Sequence, residues 1–339
     1  MRVAVVMPVY NSGRYLLEAI NSLLSQTYRD FVLIAVDDGS RDNSLQILRD
    51  AEKLDERIVV IEKANGGVAS ARNVALDYIE RARDFDLVSF LDSDDVVEPD
   101  FLETYVRAVE KYNADYVVSG FLRWYRNSDV GGLLKRRCMR ECVLSKTEAL
   151  LHFAGDARFK EKVPEATSNL LAHRCFSTRV VEGMRFREDL YSSEDQEFIF
   201  RAIRKIGVGV ALSKITYLYR QRESSLTHNL KNVESDIRFI FWMLGESERC
   251  DLSDRKIVLQ YVVRLWWAVT KKVYADSSLR KYRKEVSAIF CEIKKNKEVG
   301  NLPGRYRKRI LLCGLGGYFI SLYFFFRKKE MDLGLEVFE

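Results

Sequence analysis

The first 91 residues alternate between short apolar runs and segments with helical spacing, and this alternation restricts the possible fold more than any other feature of the chain. Each apolar run is rich in β-branched residues and has the length of a buried strand. Strands that alternate with helices predict an α/β fold with right-handed crossovers and a mostly parallel sheet carrying helices on both faces. The predicted strands are Arg2–Met7, Phe31–Val36, Ile58–Ile61 and Leu87–Leu91, and the predicted helices are Tyr15–Thr27, Ser44–Lys53 and Ala69–Ala82.

Acidic residues follow two of these strands. Asp37 and Asp38 end the second strand, and Asp92, Asp94 and Asp95 end the fourth. The carboxyl ends of parallel strands line the crevice in which open α/β sheets bind ligands. Carboxylates this close repel one another unless a cation or a group of donors balances them, and they suit Mg²⁺ or Mn²⁺ shared with phosphate oxygens. The pattern indicates a divalent cation and a diphosphate, although a solvated acidic turn that caps the next helix has the same composition.

Two common nucleotide-binding motifs are absent from the sequence. No G-x-G-x-x-G follows the first strand, which disfavours a dinucleotide-binding fold. No G-x-x-x-x-G-K-[ST] occurs, which excludes a P-loop enzyme. The predicted sheet therefore presents carboxylates at the positions where those folds present glycines.

The length and the cysteine pattern limit the class of protein. With 339 residues, of which 47% are hydrophobic and only four are proline, the chain can form one large domain with an appendage, or two domains. The six cysteines lack the spacing of a zinc site, and reduced thiols are expected. The first apolar run is too short for a signal peptide. These features predict a cytoplasmic protein.

The positive charge is concentrated in the last third of the chain. Residues 1–228 contain 33 Lys and Arg against 35 Asp and Glu, whereas residues 229–339 contain 22 against 14. A basic region predicts a polyanionic partner, either nucleic acid or an anionic membrane.

The uncharged apolar segment 310–326 lies between two basic runs in this region. A helix of this length spans roughly 25 Å at about 1.5 Å per residue, short of the roughly 30 Å hydrocarbon core. We expect this helix to lie in the membrane–water interface at the inner face of the plasma membrane. The alternatives are a membrane span and packing on the first domain. Nucleic-acid binding fits such an apolar segment poorly.

Two later stretches carry further candidate site residues. Glu194 and Asp195 begin a predicted helix that Ser192 or Ser193 would cap, and their charges also suit the first turn of any helix. Val208–Ala211 and Ile215–Tyr219 are strand-like, and the polar loop that follows them contains Arg220, Arg222 and His228. The two arginines are candidates for binding a diphosphate and the histidine for an additional metal contact, with solvated loop side chains as the alternative.

The order of these motifs along the chain resembles that of the family-2 glycosyltransferases of the GT-A fold. The resemblance covers residues 1–228, with a nucleotide-binding half at 1–121 and an acceptor half at 122–228, and a helical basic region follows at 229–339. The segments that carry it are Val6–Asn11, Ser25–Tyr28, Val36–Ser40, Asn65–Asn73, Phe90–Asp95 and Ser193–Asp195.

This resemblance implies inverting, metal-dependent transfer of a sugar from a UDP-sugar to a glycan or lipid-linked acceptor. Asp195, paired with Glu194, would be the general base. Asp92 and Asp94 would form the Asp-x-Asp motif, with Mn²⁺ or Mg²⁺ bound chiefly by Asp94. The implied nucleotide contacts are Pro8, Tyr10, Asn11, Asp38, Gly67, Arg72, Asp92 and Ser93.

Two other functions fit the same residues. One is the direct transfer of a sugar to a polyprenyl phosphate, which differs only in the acceptor. The other is a non-catalytic membrane protein that binds nucleotide sugars, and the intact carboxylate pairs argue against it.

Overall fold

The chain divides into two compact units, Met1–His228 and Asn229–Glu339. Among the described residues, the first unit contains all the strands and the second contains only helices. The computed structural model describes residues 1–124, 140–156, 170–221 and 232–314, together with Phe159, Lys162, Val163 and Ala166.

Nine strands in the described part of the first unit form one sheet. They lie in the order β3-β2-β1-β4-β8-β6-β9-β5, and β7 pairs with the outer side of β9. The strands are β1 (Val3–Val9), β2 (Phe31–Asp37), β3 (Ile58–Glu62), β4 (Leu87–Phe90), β5 (Val96–Val97), β6 (Tyr116–Trp124), β7 (Glu141–Ser145), β8 (Arg174–Ser177) and β9 (Val208–Arg220).

The first four strands form the parallel part of the sheet. β1 pairs with β2 on one side and with β4 on the other, so all seven of its residues are buried. The connecting helices bury the apolar faces that their spacing predicted, which confirms the α/β fold class. These helices are α1 (Gly13–Leu24), α2 (Ser44–Leu54) and α3 (Val68–Ala82), and α4 (Phe101–Tyr112) follows β5.

The second half of the sheet departs from the predicted parallel arrangement. β8 runs antiparallel to β4 and β6, while β9 runs parallel to β6 and antiparallel to β5 and β7. The two strand-like segments at 208–211 and 215–219 are both strand, and the structure joins them in the single strand β9. The pairing of β9 with β6 shifts register on both sides of Gly120, as at a β-bulge.

The strand order of the first unit places a topological switch point between β1 and β4. The strands β2 and β3 follow one another on one side of β1, and β4 lies on its other side. The order in which strands are added therefore reverses between β1 and β4, and open α/β sheets bind ligands at such a switch point. The described helices after β7 are α5 (Lys146–Phe153), α6 (Thr178–Val181) and α7 (Glu194–Ile203).

The second unit is built around a buried tryptophan. The indole nitrogen of Trp266 donates to the carbonyl of Val286 at 3.0 Å, and its ring stacks on Phe290 with centroids 5.6 Å apart. Most of the segment 310–326 lies outside the described residues, and within the described ranges no helix is both long and apolar enough to cross a bilayer. The described α-helices are α8 (Asn232–Glu248), α9 (Leu252–Ala275), α10 (Arg283–Lys295) and α11 (Gly304–Gly314).

Candidate active site

A buried arginine joins the carboxylates from the two predicted halves of the site. Arg72, on the first turns of α3, is only 3% exposed. Its Nη1 donates to Asp195 Oδ1 at 2.5 Å and to Glu194 Oε1 at 3.3 Å, and its Nη2 donates to Asp92 Oδ1 at 3.1 Å. The end of β4 and the start of α7, 102 residues apart in the sequence, therefore meet at one guanidinium.

The charges in this cluster shift the pKa values of its members. Burial opposes the charge of Arg72, but the carboxylates of Asp195, Asp92 and Glu194 hold its pKa above the usual value. Burial, reinforced by the charge of Asp195, raises the pKa of Glu194 to about 8 although Arg72 opposes the shift. Burial also raises the pKa of Asp195, again against Arg72. At neutral pH the cluster therefore keeps a proton on Glu194.

The proton on Glu194 makes stability depend on pH. Since the pKa of Glu194 is about 8 in the folded chain and near 4.5 when exposed, its contribution is fully present below pH 4.5 and is lost as the pH rises through 8. Glu194→Gln mimics the protonated side chain and does not titrate. From pH 6 to pH 9 we expect the wild type to lose about 2.7 kcal/mol relative to this variant, or roughly 5–11 °C in melting midpoint. A midpoint difference that stays constant over this range would contradict the buried proton.

The start of α7 differs in one respect from its prediction. Ser193 precedes the helix as expected, but its side chain does not cap the first turn. The reason is local, because its ψ of 10° lies outside the extended region that an N-cap residue adopts. Asp195 and Glu194 are oriented by Arg72.

The acidic turn after β4 is held by the end of β9. Asp95 is buried, and its carboxylate accepts from the Tyr217 hydroxyl at 2.5 Å and from the Arg220 backbone N–H at 2.8 Å. Burial, with the charges of Asp94 and Asp92, raises the pKa of Asp95 well above its usual range. Asp95 thus fixes the turn that presents its two neighbours.

Arg220 supports the same turn. Its Nε donates to the backbone carbonyl of Asp94 at 2.6 Å, and its Nη2 donates to Glu18 at 2.8 Å. Its guanidinium carbon lies 4.2 Å from the ring centroid of Trp124 and 5.0 Å from that of Tyr15. These contacts give Arg220 a positioning role beside Asp94, and a contact to a diphosphate stays a prediction.

Two carboxylates of this turn have the character required to hold a divalent cation. Asp92 is one-third exposed at its side chain and Asp94 is half-buried, so both lie at the crevice surface. No group of three or more His, Cys, Asp or Glu side chains within the described ranges forms a metal-binding cluster. Mg²⁺, however, is commonly held by one or two carboxylates together with substrate phosphates and water. The donor set fits such a shared site.

Asp38 organises the glycine turn before α3. Its buried carboxylate accepts from the Lys63 ammonium at 2.7 Å and from the backbone N–H groups of Gly66 at 2.9 Å and Gly67 at 2.8 Å. The amide of Asn65 donates to it at 3.2 Å. Gly67 has a φ of +91°, which only glycine adopts readily. Four protein donors therefore contact the carboxylate oxygens of Asp38. The contact of Asp38 with a nucleotide base stays a prediction.

The end of β1 brings the other predicted nucleotide contacts to the crevice. Pro8 is buried in β1, and Tyr10, 47% exposed, directly follows the strand. Asn11 accepts from the Arg41 backbone N–H at 2.8 Å. Ser93 shares a 2.6 Å hydrogen bond with the hydroxyl of Ser12, which connects the ends of β4 and β1.

Some residues of the crevice were missed by sequence reasoning, and some predicted ones cannot be placed. Arg222 and His228 lie outside the described residues. Asp37, the last residue of β2, has one carboxylate oxygen that is buried without a hydrogen-bond partner among the described residues. Tyr217 was read only as a strand residue, and no local pattern signals its contact with Asp95.

Comparisons with known proteins agree with this geometry. The model of the family "Glycosyl transferase family 2" matches residues 4–178. GlyG, a glycosyltransferase of Streptococcus pneumoniae serotype 4, is 30% identical over 231 residues, covering 66% of this chain and 72% of GlyG. GlyA of the same organism is 26% identical over 67% of this chain, which spans only 31% of GlyA.

A solved structure shows the same fold. The crystal structure of residues 1–349 of TarS from S. aureus has a TM-score of 0.63, at 19% identity, over 90% of this chain and 82% of TarS. The complex of this TarS portion with UDP-GlcNAc gives a TM-score of 0.57, at 22% identity, over 87% and 89%. With residues 4–178 matched by the family and GlyG related at 30% identity, the chain belongs to glycosyl transferase family 2.

Proposed function

We propose that the chain is an inverting glycosyltransferase that moves a sugar from a UDP-sugar to a glycan or lipid-linked acceptor in cell-surface polysaccharide synthesis. The observation that carries this proposal is the contact of one guanidinium, that of Arg72, with both Asp92 and Asp195. Asp92 belongs to the carboxylates suited to the diphosphate end of the donor. Asp195 is thereby held close to the place where the sugar leaves that diphosphate.

The exposure of the two acidic residues favours Asp195 as the general base. Its side chain is 21% exposed, whereas that of Glu194 is 9% exposed and has its Oε2 buried. Asp195 can accept the proton of an acceptor hydroxyl while that oxygen bonds to the anomeric carbon and the bond to the diphosphate breaks. One such displacement inverts the anomeric carbon. Glu194 lies behind Asp195 and assists by contacting Arg72.

Asp92 and Asp94 are the residues that would hold Mn²⁺ or Mg²⁺. A bound divalent cation would neutralise the negative charge that develops on the leaving diphosphate. Asp95, Tyr217 and Arg220 keep these two carboxylates at the crevice through the contacts described above.

The comparison with TarS supports the choice of donor and acceptor class. TarS is a poly(ribitol-phosphate) β-N-acetylglucosaminyltransferase, and its structure has been solved with UDP-GlcNAc. A related fold in complex with UDP-GlcNAc supports UDP-GlcNAc as the first donor to test here. A glycan of the cell surface is the corresponding acceptor class.

A donor panel with two acceptors tests the proposal. The purified chain is incubated with each UDP-sugar and Mn²⁺, with either a polyprenyl phosphate or a glycosyl-diphospho-lipid, and UDP release and labelled lipid are measured. We expect one donor to label the glycosylated acceptor, with an inverted anomeric configuration by NMR. Label on the polyprenyl phosphate alone would favour direct transfer of the sugar to a polyprenyl phosphate. Nucleotide binding without turnover would favour a non-catalytic binding protein.

We also propose that the second unit binds an anionic membrane surface. The basic corner, residues 271–284, joins the end of α9 to the start of α10 and contains six Lys or Arg and one Asp. All six except Arg283 are exposed, and the Arg283 guanidinium packs 4.7 Å from the ring centroid of Tyr274. Each basic residue near an anionic leaflet contributes about 1 kcal/mol. Such binding would keep the chain at the inner face of the plasma membrane, where lipid-linked acceptors are found.

Vesicle flotation tests the membrane contact separately from catalysis. Changing Lys271, Lys281 and Lys284 to Glu should weaken binding to phosphatidylglycerol vesicles about 100-fold or more, because attraction becomes repulsion at three positions. The matched control makes the same charge change in the first unit, at the exposed residues Lys53, Arg107 and Lys205, and should bind normally. Equal losses in both variants, or wild-type binding to neutral vesicles, would contradict a specific basic surface.

A further inference from the structure

One buried aromatic ring contacts all three elements that carry the reactive cluster. Phe186 stacks on Phe198 of α7, with centroids 4.0 Å apart and ring planes 6° from parallel. It meets Phe90, the last residue of β4, edge-on at 5.7 Å. The guanidinium carbon of Arg72, on α3, lies 5.4 Å from its ring centroid. α7 carries Glu194 and Asp195, and Asp92 follows Phe90 by two residues.

The backbone of Phe186 is fixed to α3 at a single residue. Its N–H donates to Asn73 Oδ1 at 2.7 Å, and its carbonyl accepts from Asn73 Nδ2 at 3.0 Å. Asn73 is the neighbour of Arg72 on the same helix. The position of the ring is therefore tied directly to the position of the guanidinium.

Two further residues of α3 hold the same segment: Asp77 lies about one turn after Asn73, and Glu80 lies about two turns after it. Arg185 binds Asp77 at 2.5–2.9 Å and Glu80 at 2.7–2.9 Å, and Glu80 also accepts from the Gly183 backbone N–H at 2.7 Å. Residues 73, 77 and 80 of a helix lie on one face. One face of α3 thus holds Gly183, Arg185 and Phe186 of the strap that precedes α7, defined here as residues 183–190.

We propose that Phe186 is a positioning residue for glycosyl transfer, setting the distance between Asp195 and Asp92 through Arg72. This inference rests on the proposed function. Catalytic groups displaced by about 1 Å lose roughly 100-fold in rate. A ring that packs on α7, β4 and Arg72 together prevents such displacement, and a smaller side chain would leave a gap between them.

A matched pair of variants separates positioning from general stability. Phe186→Leu is compared with Phe200→Leu, which changes an equally buried ring on α7 that packs on Phe153 instead of Arg72. Both variants should lower the melting midpoint by a similar amount. We expect kcat to fall about 10- to 100-fold only for Phe186→Leu, with the donor KM within threefold and the acidic limb of the pH–rate profile shifted. Equal losses of kcat in the two variants, or no loss for Phe186→Leu, would overturn the proposal.

A stability measurement tests the coupling without any transfer assay. Melting midpoints are compared for Arg72→Lys, for Phe186→Leu and for both together, and the cycle is repeated with Phe200→Leu. We expect non-additive shifts for the pair with Phe186 and additive shifts for the pair with Phe200. Additive shifts in both cycles would overturn the positioning role whatever the transfer assay shows. Absence of transfer by the wild type would count against the proposed function alone.

Discussion

Replacing Asp195 with Asn should lower kcat about 1,000-fold while the chain still binds UDP. Asparagine has nearly the same shape but cannot accept the acceptor's proton, and a positioned general base contributes about 10² to 10⁴ in rate. The amide also loses the charged contact with Arg72, which leaves Asp92 and Glu194 as that residue's acidic partners. Initial rates of UDP release with saturating acceptor give kcat, and thermal shift by UDP reports binding.

Asp189→Asn is the matched control for this prediction. Asp189 lies in the strap that precedes α7, pairs with Arg187 at 2.6 Å and has a side chain that is 45% exposed, so its loss should leave kcat within about threefold. Full activity of Asp195→Asn would show that another group takes the proton. A larger loss for Glu194→Gln than for Asp195→Asn would transfer the base role to Glu194.

Replacing Asp94 with Ala should lower kcat/KM at least about 100-fold, or about 2.7 kcal/mol in transition-state stabilisation. Asp94 is the carboxylate that we propose for binding the divalent cation, and its backbone carbonyl is separately held by Arg220, so the turn should keep its shape. The variant should also lose the dependence of UDP binding on Mn²⁺. Titration of UDP with and without Mn²⁺, followed by thermal shift, measures this loss.

Asp100→Ala is the comparison for Asp94. Asp100 precedes α4 and pairs with Lys214, away from the cluster around Arg72. We expect it to bind UDP with unchanged Mn²⁺ dependence. If Asp94→Ala bound UDP and Mn²⁺ as the wild type does, the metal assignment in the acidic turn would be wrong.

The parallel half of the fold was predictable because its signals are local. The apolar runs that became β1, β2 and β4 are buried on both faces, so their composition alone identifies them. The acidic residues at the ends of β2 and β4 were also placed correctly. Parallel strands bring their carboxyl ends to the same edge of the sheet, so these residues share that edge.

The antiparallel half was not predictable because its pairings are non-local. β8 has four residues, and its insertion between β4 and β6 depends on partners more than 50 residues away. The role of Phe186 has no local signal either, since a single phenylalanine in a charged strap resembles any surface-loop residue. Arg72 was assigned to a nucleotide by resemblance, and its contact with three carboxylates could be seen only once α3, β4 and α7 were assembled.

The most direct test of a nucleotide-diphosphate site is thermal stabilisation by UDP, GDP and CDP, each with Mn²⁺ and then with excess EDTA. Ligand at 100 times its Kd stabilises the native state by about 2.7 kcal/mol, which raises the midpoint by roughly 5–10 °C in a domain of this size. We predict such a rise with UDP, its loss on addition of EDTA, and smaller rises with GDP and CDP. No rise with any of the three nucleotides would contradict a diphosphate site between Asp92, Asp94 and Asp195.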